Sequence, residues 1–291
     1  MKVCLNCNYQ FETEGWRCPQ CGQSPALRHG HVTFAPELAE SNDGFKSHYF
    51  DDLARLEAKN FWFRSRNSLI IWALQRYFPN AATFLEIGCG TGFVLAGMHR
   101  VFPKLRISGS DIFTEGLAFA QQRTANVSLF QMDARCIPFE EEFDVIGAFD
   151  VLEHIEEDGD VLGQMFKATK LGGGIVLTVP QHRFLWSFID EYSFHKRRYT
   201  RMELLEKVKR AGFDLTYTSS FVSFLLPAML VSRLKKRVKT EQFDPTAELR
   251  IHPLLNAMFE KILWIERLFI KCGVALPAGG SLLVIARRMR R

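Results

Sequence analysis

The chain has 291 residues, 47% of them apolar and 24% charged, the composition of a folded globular chain and not of a disordered or fibrous one. Its formal charge of +5 is concentrated in two runs, Arg233/Lys235/Lys236/Arg237/Lys239 and Arg287/Arg288/Arg290/Arg291. The remainder is mildly acidic, which speaks against a general nucleic-acid binder, while the two local basic patches suit an acidic substrate or an anionic membrane surface.

The chain opens Met1-Lys2-Val3-Cys4, without the apolar stretch of a secretory signal. The longest apolar run, Phe221 to Ser232, is interrupted by Pro227 and falls short of the roughly 20 residues that span a bilayer. The cytoplasm is therefore the expected location, with a peripheral position at the inner membrane face as its extension. Of the seven cysteines, four are clustered as Cys4-x2-Cys7 and Cys18-x2-Cys21. Paired knuckles of this kind supply four thiolates for a tetrahedral structural zinc, so residues 1–25 read as a compact zinc-ribbon-like unit. Residues 26–47, with Gly30, Pro36, Asn42-Asp43 and Gly44, read as a linker.

From His48 to Phe78 the apolar spacing turns helical, with Leu53, Leu56, Phe61-Trp62-Phe63, Leu69, Ile70 and Trp72, and Pro79-Asn80 ends it. From 83 onward strands are expected at 83–87, 105–110, 127–131, 143–149, 174–179, 213–219 and 281–286. Helices are expected between them at 93–101, 115–123, 158–169 and 201–211. Such alternation builds a parallel sheet with helices on both faces. About sixty residues, 220–280, separate the last two strands.

Residues 84–92, Phe-Leu-Glu-Ile-Gly-Cys-Gly-Thr-Gly, form a strand, a glycine turn and a helix start. The glycine spacing is not that of a dinucleotide fingerprint, and the turn lacks the lysine of a P-loop. An acidic residue two places before G-x-G-x-G resembles motif I of the class I S-adenosylmethionine (SAM) methyltransferases, a likeness that covers about 45–220 and 280–287. It implies an α/β, Rossmann-like, seven-stranded, mostly parallel sheet, here with a small N-terminal zinc knuckle, a helical cover at 48–82 and a helical insertion at 220–280. It also implies SAM at the sheet edge, with Glu86 near the methionine amino group, Gly88 and Gly90 under the methionine, and Asp111 on the ribose hydroxyls. Ile112 would pack on adenine, Asp133-Ala134 would meet its amino group, and Asp150 would close the fourth strand. Trp62 and Arg66, at i and i+4, would form part of the cover.

The acceptor is less legible. Histidine suits the deprotonation of an oxygen acceptor, and His154, His182 and His195 all lie near the expected site. Asp150-x-x-Glu153-His154 resembles a divalent-metal motif of some ubiquinone-type O-methyltransferases, and the same spelling recurs where no metal binds. Phe221–Val231 followed by the basic run suits an anionic headgroup boundary, and a second apolar helix is expected over 254–272; both also suit a substrate cap or a dimer surface. The expected activity is SAM-dependent O-methylation of an amphiphilic or lipid-linked small molecule. C- or N-methylation, RNA methylation and a non-catalytic SAM- or zinc-binding module are the alternatives.

Overall fold

The computed structural model describes residues 1–39, 48–124, 126–235 and 251–290. A small hairpin comes first, with β1 (Lys2–Val3) paired antiparallel to β2 (Gln10–Phe11). The main sheet has nine strands among the described residues, two more than the seven expected. The extra pair, β3 (Ala26–Arg28) and β4 (His31–Thr33), stands at one edge. Five parallel strands form the centre: β5 (Thr83–Ile87), β6 (Arg106–Asp111), β7 (Ser128–Gln131), β8 (Phe143–Phe149) and β9 (Thr169–Pro180). β10 (Asp214–Phe221) and β11 (Ser281–Arg287) complete the other side, with β11 inserted antiparallel between β9 and β10. The order is β10-β11-β9-β8-β5-β6-β7-β4-β3.

β3 and β4 correct the expectation of a linker at 26–47. Val32 and Thr33 run parallel to Phe130 and Gln131, and the Gln131 side chain bonds both the N–H (3.0 Å) and the carbonyl (2.8 Å) of Ala35. Their turn, His29-Gly30, has φ of 50° and 83°, the positive values that a two-residue hairpin requires. The flanking apolar runs are too brief for period-2 alternation to reveal them. Residues 40–47 lie outside the described residues.

That alternation divides the sheet's side chains between two apolar layers. Phe84, Val145, Val176, Leu283 and Ile285 face one way, with α2 (Phe61–Tyr77), α3 (Phe93–Val101) and α9 (Pro253–Lys271). Leu85, Ile146, Ile175, Leu177, Leu282 and Val284 face the other, against α5 (Asp158–Ala168) and α7 (Arg201–Arg210). Helix α4 (Thr114–Arg123) follows β6. The N-terminal cover is two helices: α1 (His48–Leu56) ends before Asn60, which caps α2 by accepting from the Trp62 N–H at 2.9 Å.

The insertion forms α8 (Leu226–Lys235) and α9. Pro227 lies in the first turn of α8, where its missing N–H costs nothing. Buried Glu266 of α9 accepts from the N–H groups of Val222 (2.6 Å), Ser223 (2.6 Å) and Phe224 (2.8 Å), which fixes the entry to α8. Among the described residues, no helix is long and apolar enough to cross a membrane.

Candidate functional site

The carboxyl ends of β5, β6, β7 and β8 open into one cavity of about 1050 Å³, lined also by the helical cover and the insertion. Gly88 follows β5 with φ +68°, and a Cβ there would meet Val151 Cγ2 at 2.4 Å. Gly92 has φ +74°, and its Cβ would meet Ala120 of α4 at 2.8 Å. The turn can therefore pass beneath a ligand only as glycine. Buried Glu57, past the end of α1, accepts from Thr91 Oγ1 (2.6 and 2.8 Å) and from Arg123 of α4, bracing the turn.

Glu86 lines this cavity, is 3% exposed, and its Oε2 has no hydrogen-bond partner. Burial pushes its carboxyl well above the usual range, opposed by Arg66 and reinforced by Asp111 and Glu57. Asp111 closes β6 and accepts the Gly90 N–H at 2.8 Å and the Phe113 N–H at 3.0 Å. Burial raises it to about 6 against the pull of those bonds. Asp133 binds Arg135 through both carboxylate oxygens, at 3.0 and 2.9 Å from Nε. Ile112 and Ala134 line the same end.

Asp150 follows β8 with φ +59° and pairs with Arg66 of α2, while Thr178 Oγ1 donates to it at 3.2 Å. The Arg66 guanidinium in turn lies 4.5 Å from the Trp62 ring centre. The cover is thus bolted to the sheet edge through an ion pair and a cation–π contact. Next to it are Glu153, His154 and His195, whose potential ligand atoms all lie within 4.8 Å of one another. Glu153 is fully buried and neither carboxylate oxygen has a partner. Burial, then Asp150, raises it well above the usual range. Burial, with His195 adding repulsion, lowers His154 to about 3, so its imidazole is neutral at physiological pH.

His195 Nδ1 lies 2.9 Å from Oδ1 of Asp190, a fully buried carboxylate that also binds Arg198 at 2.7 Å. Against the opposing effect of burial, His195 and Arg198 hold Asp190 at about 2. Asp190 belongs to α6 (Phe188–Tyr192), where its side chain also accepts the Ser187 N–H at 2.8 Å. His182 departs from the expectation. It has φ +64°, stacks on Phe184 with ring centres 4.9 Å apart, and is absent from the cavity lining. Its backbone pairs with Tyr199 instead, through an N–H···O bond of 2.9 Å, as the chain turns away from β9.

A family model described as a methyltransferase domain matches residues 54–218. The chain belongs to this methyltransferase family. The ubiquinone/menaquinone biosynthesis C-methyltransferase of Desulfotalea psychrophila is 28% identical over 120 residues, which are 39% of this chain and 49% of that protein. A malonyl-[acyl-carrier protein] O-methyltransferase of Bacillus cereus is 29% identical over 119 residues, 40% of this chain and 44% of that protein. The chain thus spans about half, or less, of these curated relatives. Phosphoethanolamine N-methyltransferase 2 of Haemonchus contortus, solved with SAM, has the same fold at 20% identity, with a TM-score of 0.57 over 90% of this chain and 61% of that one.

The chain carries a methyltransferase domain with a class I, Rossmann-like sheet, and its cavity suits SAM. The partnerless oxygen of Glu86 matches a cationic amino group, and the glycine turn leaves room for close backbone approach. Of the residues the sequence nominated, the methyltransferase brings Glu86, Gly88, Gly90, Asp111, Ile112, Asp133, Ala134, Asp150, His154 and His195 to one cavity. Asp150 is occupied by Arg66, so His195 takes the place expected for Asp150 beside Glu153 and His154. Asp190, Arg198 and Glu57 have no role legible in the sequence, because a buried carboxylate has no local signature until its partner is in place.

The N-terminal unit gathers the four clustered cysteines. Cys4 and Cys21 sulfurs are 3.6 Å apart, as are those of Cys7 and Cys18, and all four lie within 4.8 Å of one another. Ligands about 2.3 Å from a tetrahedral zinc would lie about 3.8 Å apart, so the cluster can hold that ion. The unit packs on the catalytic sheet: Trp16 meets Phe34, Phe130 and Phe139 edge-on, and the Val3 N–H donates to the Pro138 carbonyl at 3.0 Å. The segment it touches begins at Asp133 and Ala134, on the cavity wall.

Proposed function

We propose that this enzyme methylates an oxygen of an amphiphilic small molecule carrying an anionic group, with His195 as the general base. The Asp190–His195 pair on the wall of the SAM cavity carries the reading. Asp190 holds Nδ1 of the imidazole, so Nε2 is the nitrogen left to take the acceptor's proton. SAM, when bound, supplies an electrophilic methyl group on a sulfonium. His195 takes the O–H proton as the acceptor oxygen is methylated. Trp62, Phe63 and Arg66 line the cavity as part of its helical cover. Positioning supplies the rest, since in-line displacement needs donor and acceptor close and collinear.

The acceptor's chemistry follows from two contrasting parts of the wall. Val222, Leu225, Met229, Ile251 and Phe259 form an apolar side, while Lys196 adds positive charge. That combination suits an apolar body with a carboxylate or phosphate. The names of the relatives, one acting in quinone biosynthesis and one on a carrier-bound malonyl group, are compatible with such acceptors. Assays with methyl-labelled SAM and an acidic small-molecule fraction test the reading through His195→Asn, which should keep cofactor affinity and lose turnover. A second reading, a divalent ion on Glu153, His154 and His195, is favoured by the two partnerless Glu153 oxygens. Stimulation by added Mg²⁺ or Mn²⁺, abolished in Glu153→Gln, distinguishes it.

We further propose a structural zinc on Cys4, Cys7, Cys18 and Cys21. Four thiolates fill its coordination, so it has no open position for substrate. Its role is to hold the short N-terminal unit rigid against the segment that starts at Asp133.

A further inference from the structure

The insertion helices are apolar on two opposite sides. Their inner side chains, with Leu225 just before them, include Met229 and Phe259 and line the cavity or the core behind it. Their outer sides are also apolar: Leu254, Leu255, Met258, Ile265, Leu268 and Phe269 are exposed along α9 at helical spacing, with Leu254 at 76%. Phe224, just before α8, joins this surface with its ring 5.8 Å from that of Phe269, and Leu230 and Val231 of α8 are exposed as well. A contiguous apolar surface of this extent is unusual on a chain that meets only water.

Charge indicates what covers it. Helix α9 carries two acids, and both are paired within the chain. Glu266 is buried on backbone N–H groups, and Glu260 pairs with Arg64 at 2.5 Å. The exposed charges among the outer side chains of α9 are Lys261 and Lys271. Apolar side chains flanked by cations, with both acids of the helix paired within the chain, match the headgroup boundary of an anionic bilayer. A second copy would set cation against cation across the same surface.

We infer that the outer faces of α8 and α9 dock the enzyme on an anionic lipid surface, with the helices lying in the interface. The surface overlaps only part of the 221–239 segment expected from the sequence. Phe221, Val222 and Leu225 are buried, and Lys236, Arg237 and Lys239 lie outside the described residues. The outer face of α9 supplies most of the contact instead. The surface itself stands apart from the methyl-transfer reading, since it is read by binding alone.

Flotation of the full chain with phosphatidylglycerol-rich and with phosphatidylcholine vesicles tests this. At low salt, partitioning onto the anionic vesicles should exceed that onto neutral ones by at least tenfold, and high salt should reduce it. Met258→Glu/Ile265→Glu should lose flotation while its SAM affinity, measured in parallel, stays that of the wild type. Lys261→Gln/Lys271→Gln should lower it about tenfold or more. Absence of wild-type flotation overturns the proposal, as does equal flotation of the glutamate variant. A wild-type dimer in sedimentation that the glutamate variant abolishes, without lipid binding, assigns the surface to a second copy and also overturns it.

Discussion

Replacing Glu86 by Gln should weaken SAM and stabilise the empty enzyme. The carboxylate is 3% exposed with one oxygen partnerless, and burial holds its pKa well above the ordinary range. A cationic amino group entering the cavity removes that penalty, so the ionised carboxylate and the ligand stabilise each other. The amide keeps the shape and an acceptor but loses the charge. A hydrogen bond to a charged group is worth about 1.5–3 kcal/mol, so the SAM Kd should rise roughly ten- to a hundredfold. Stability moves the other way. A carboxyl with a raised folded pKa contributes stability that is full below the unfolded carboxylate pKa and is lost as pH rises through the folded value. The glutamine variant has no such loss. The ligand-free Tm of Glu86→Gln should therefore match wild type near pH 4 and exceed it at pH 8. Calorimetric titration and scanning calorimetry at both pH values read the two effects. Wild-type SAM affinity in the variant, or a Tm difference that does not grow with pH, would overturn the role given to Glu86.

Asp111, at about 6, should make SAM binding pH-dependent: affinity falls from pH 7.5 to 5 as the carboxylate takes a proton, and titrations of Asp111→Asn should be flatter across that range. His195→Asn should lower kcat by about 10²–10⁴-fold with SAM Kd unchanged, the usual worth of a general base; His182→Asn, outside the cavity, should leave kcat near wild type. Cys18→Ser/Cys21→Ser should lose one zinc per chain by elemental analysis. It should also weaken SAM several-fold, because the unit abuts the segment from Asp133; zinc-free wild-type protein, or a variant with full SAM affinity, would count against that role.

The strands and the cofactor end were legible because their signals are local. Phe84–Gly92 spells strand, acid and glycine turn within nine residues, and β8 falls at 143–149 as its apolar run indicates. β11 also lies where a short apolar run indicates a strand, although nothing in that run marks its antiparallel insertion between β9 and β10. What escaped depends on distant partners. Asp190 gains meaning from His195 and Arg198, Glu57 from Thr91 and Arg123, and Glu266 from three N–H groups about forty residues away. Three histidines near one sheet edge looked equivalent in sequence. Geometry separates them: the chain turns at His182 with positive φ and carries it off the cavity, while α6 holds its carboxylate under His195. The edge hairpin at 26–33 was missed because strands of three residues carry too little pattern to distinguish from linker.

Transfer of a methyl group from SAM to an acidic amphiphile is tested most directly by incubating the full chain with methyl-tritiated SAM and a fractionated cell extract. The label should enter the solvent-extractable, acidic small-molecule fraction, and both Glu86→Gln and His195→Asn should reduce it at least tenfold. Label recovered in RNA or protein instead, or equal labelling by those two variants, would contradict methyl transfer to such an acceptor.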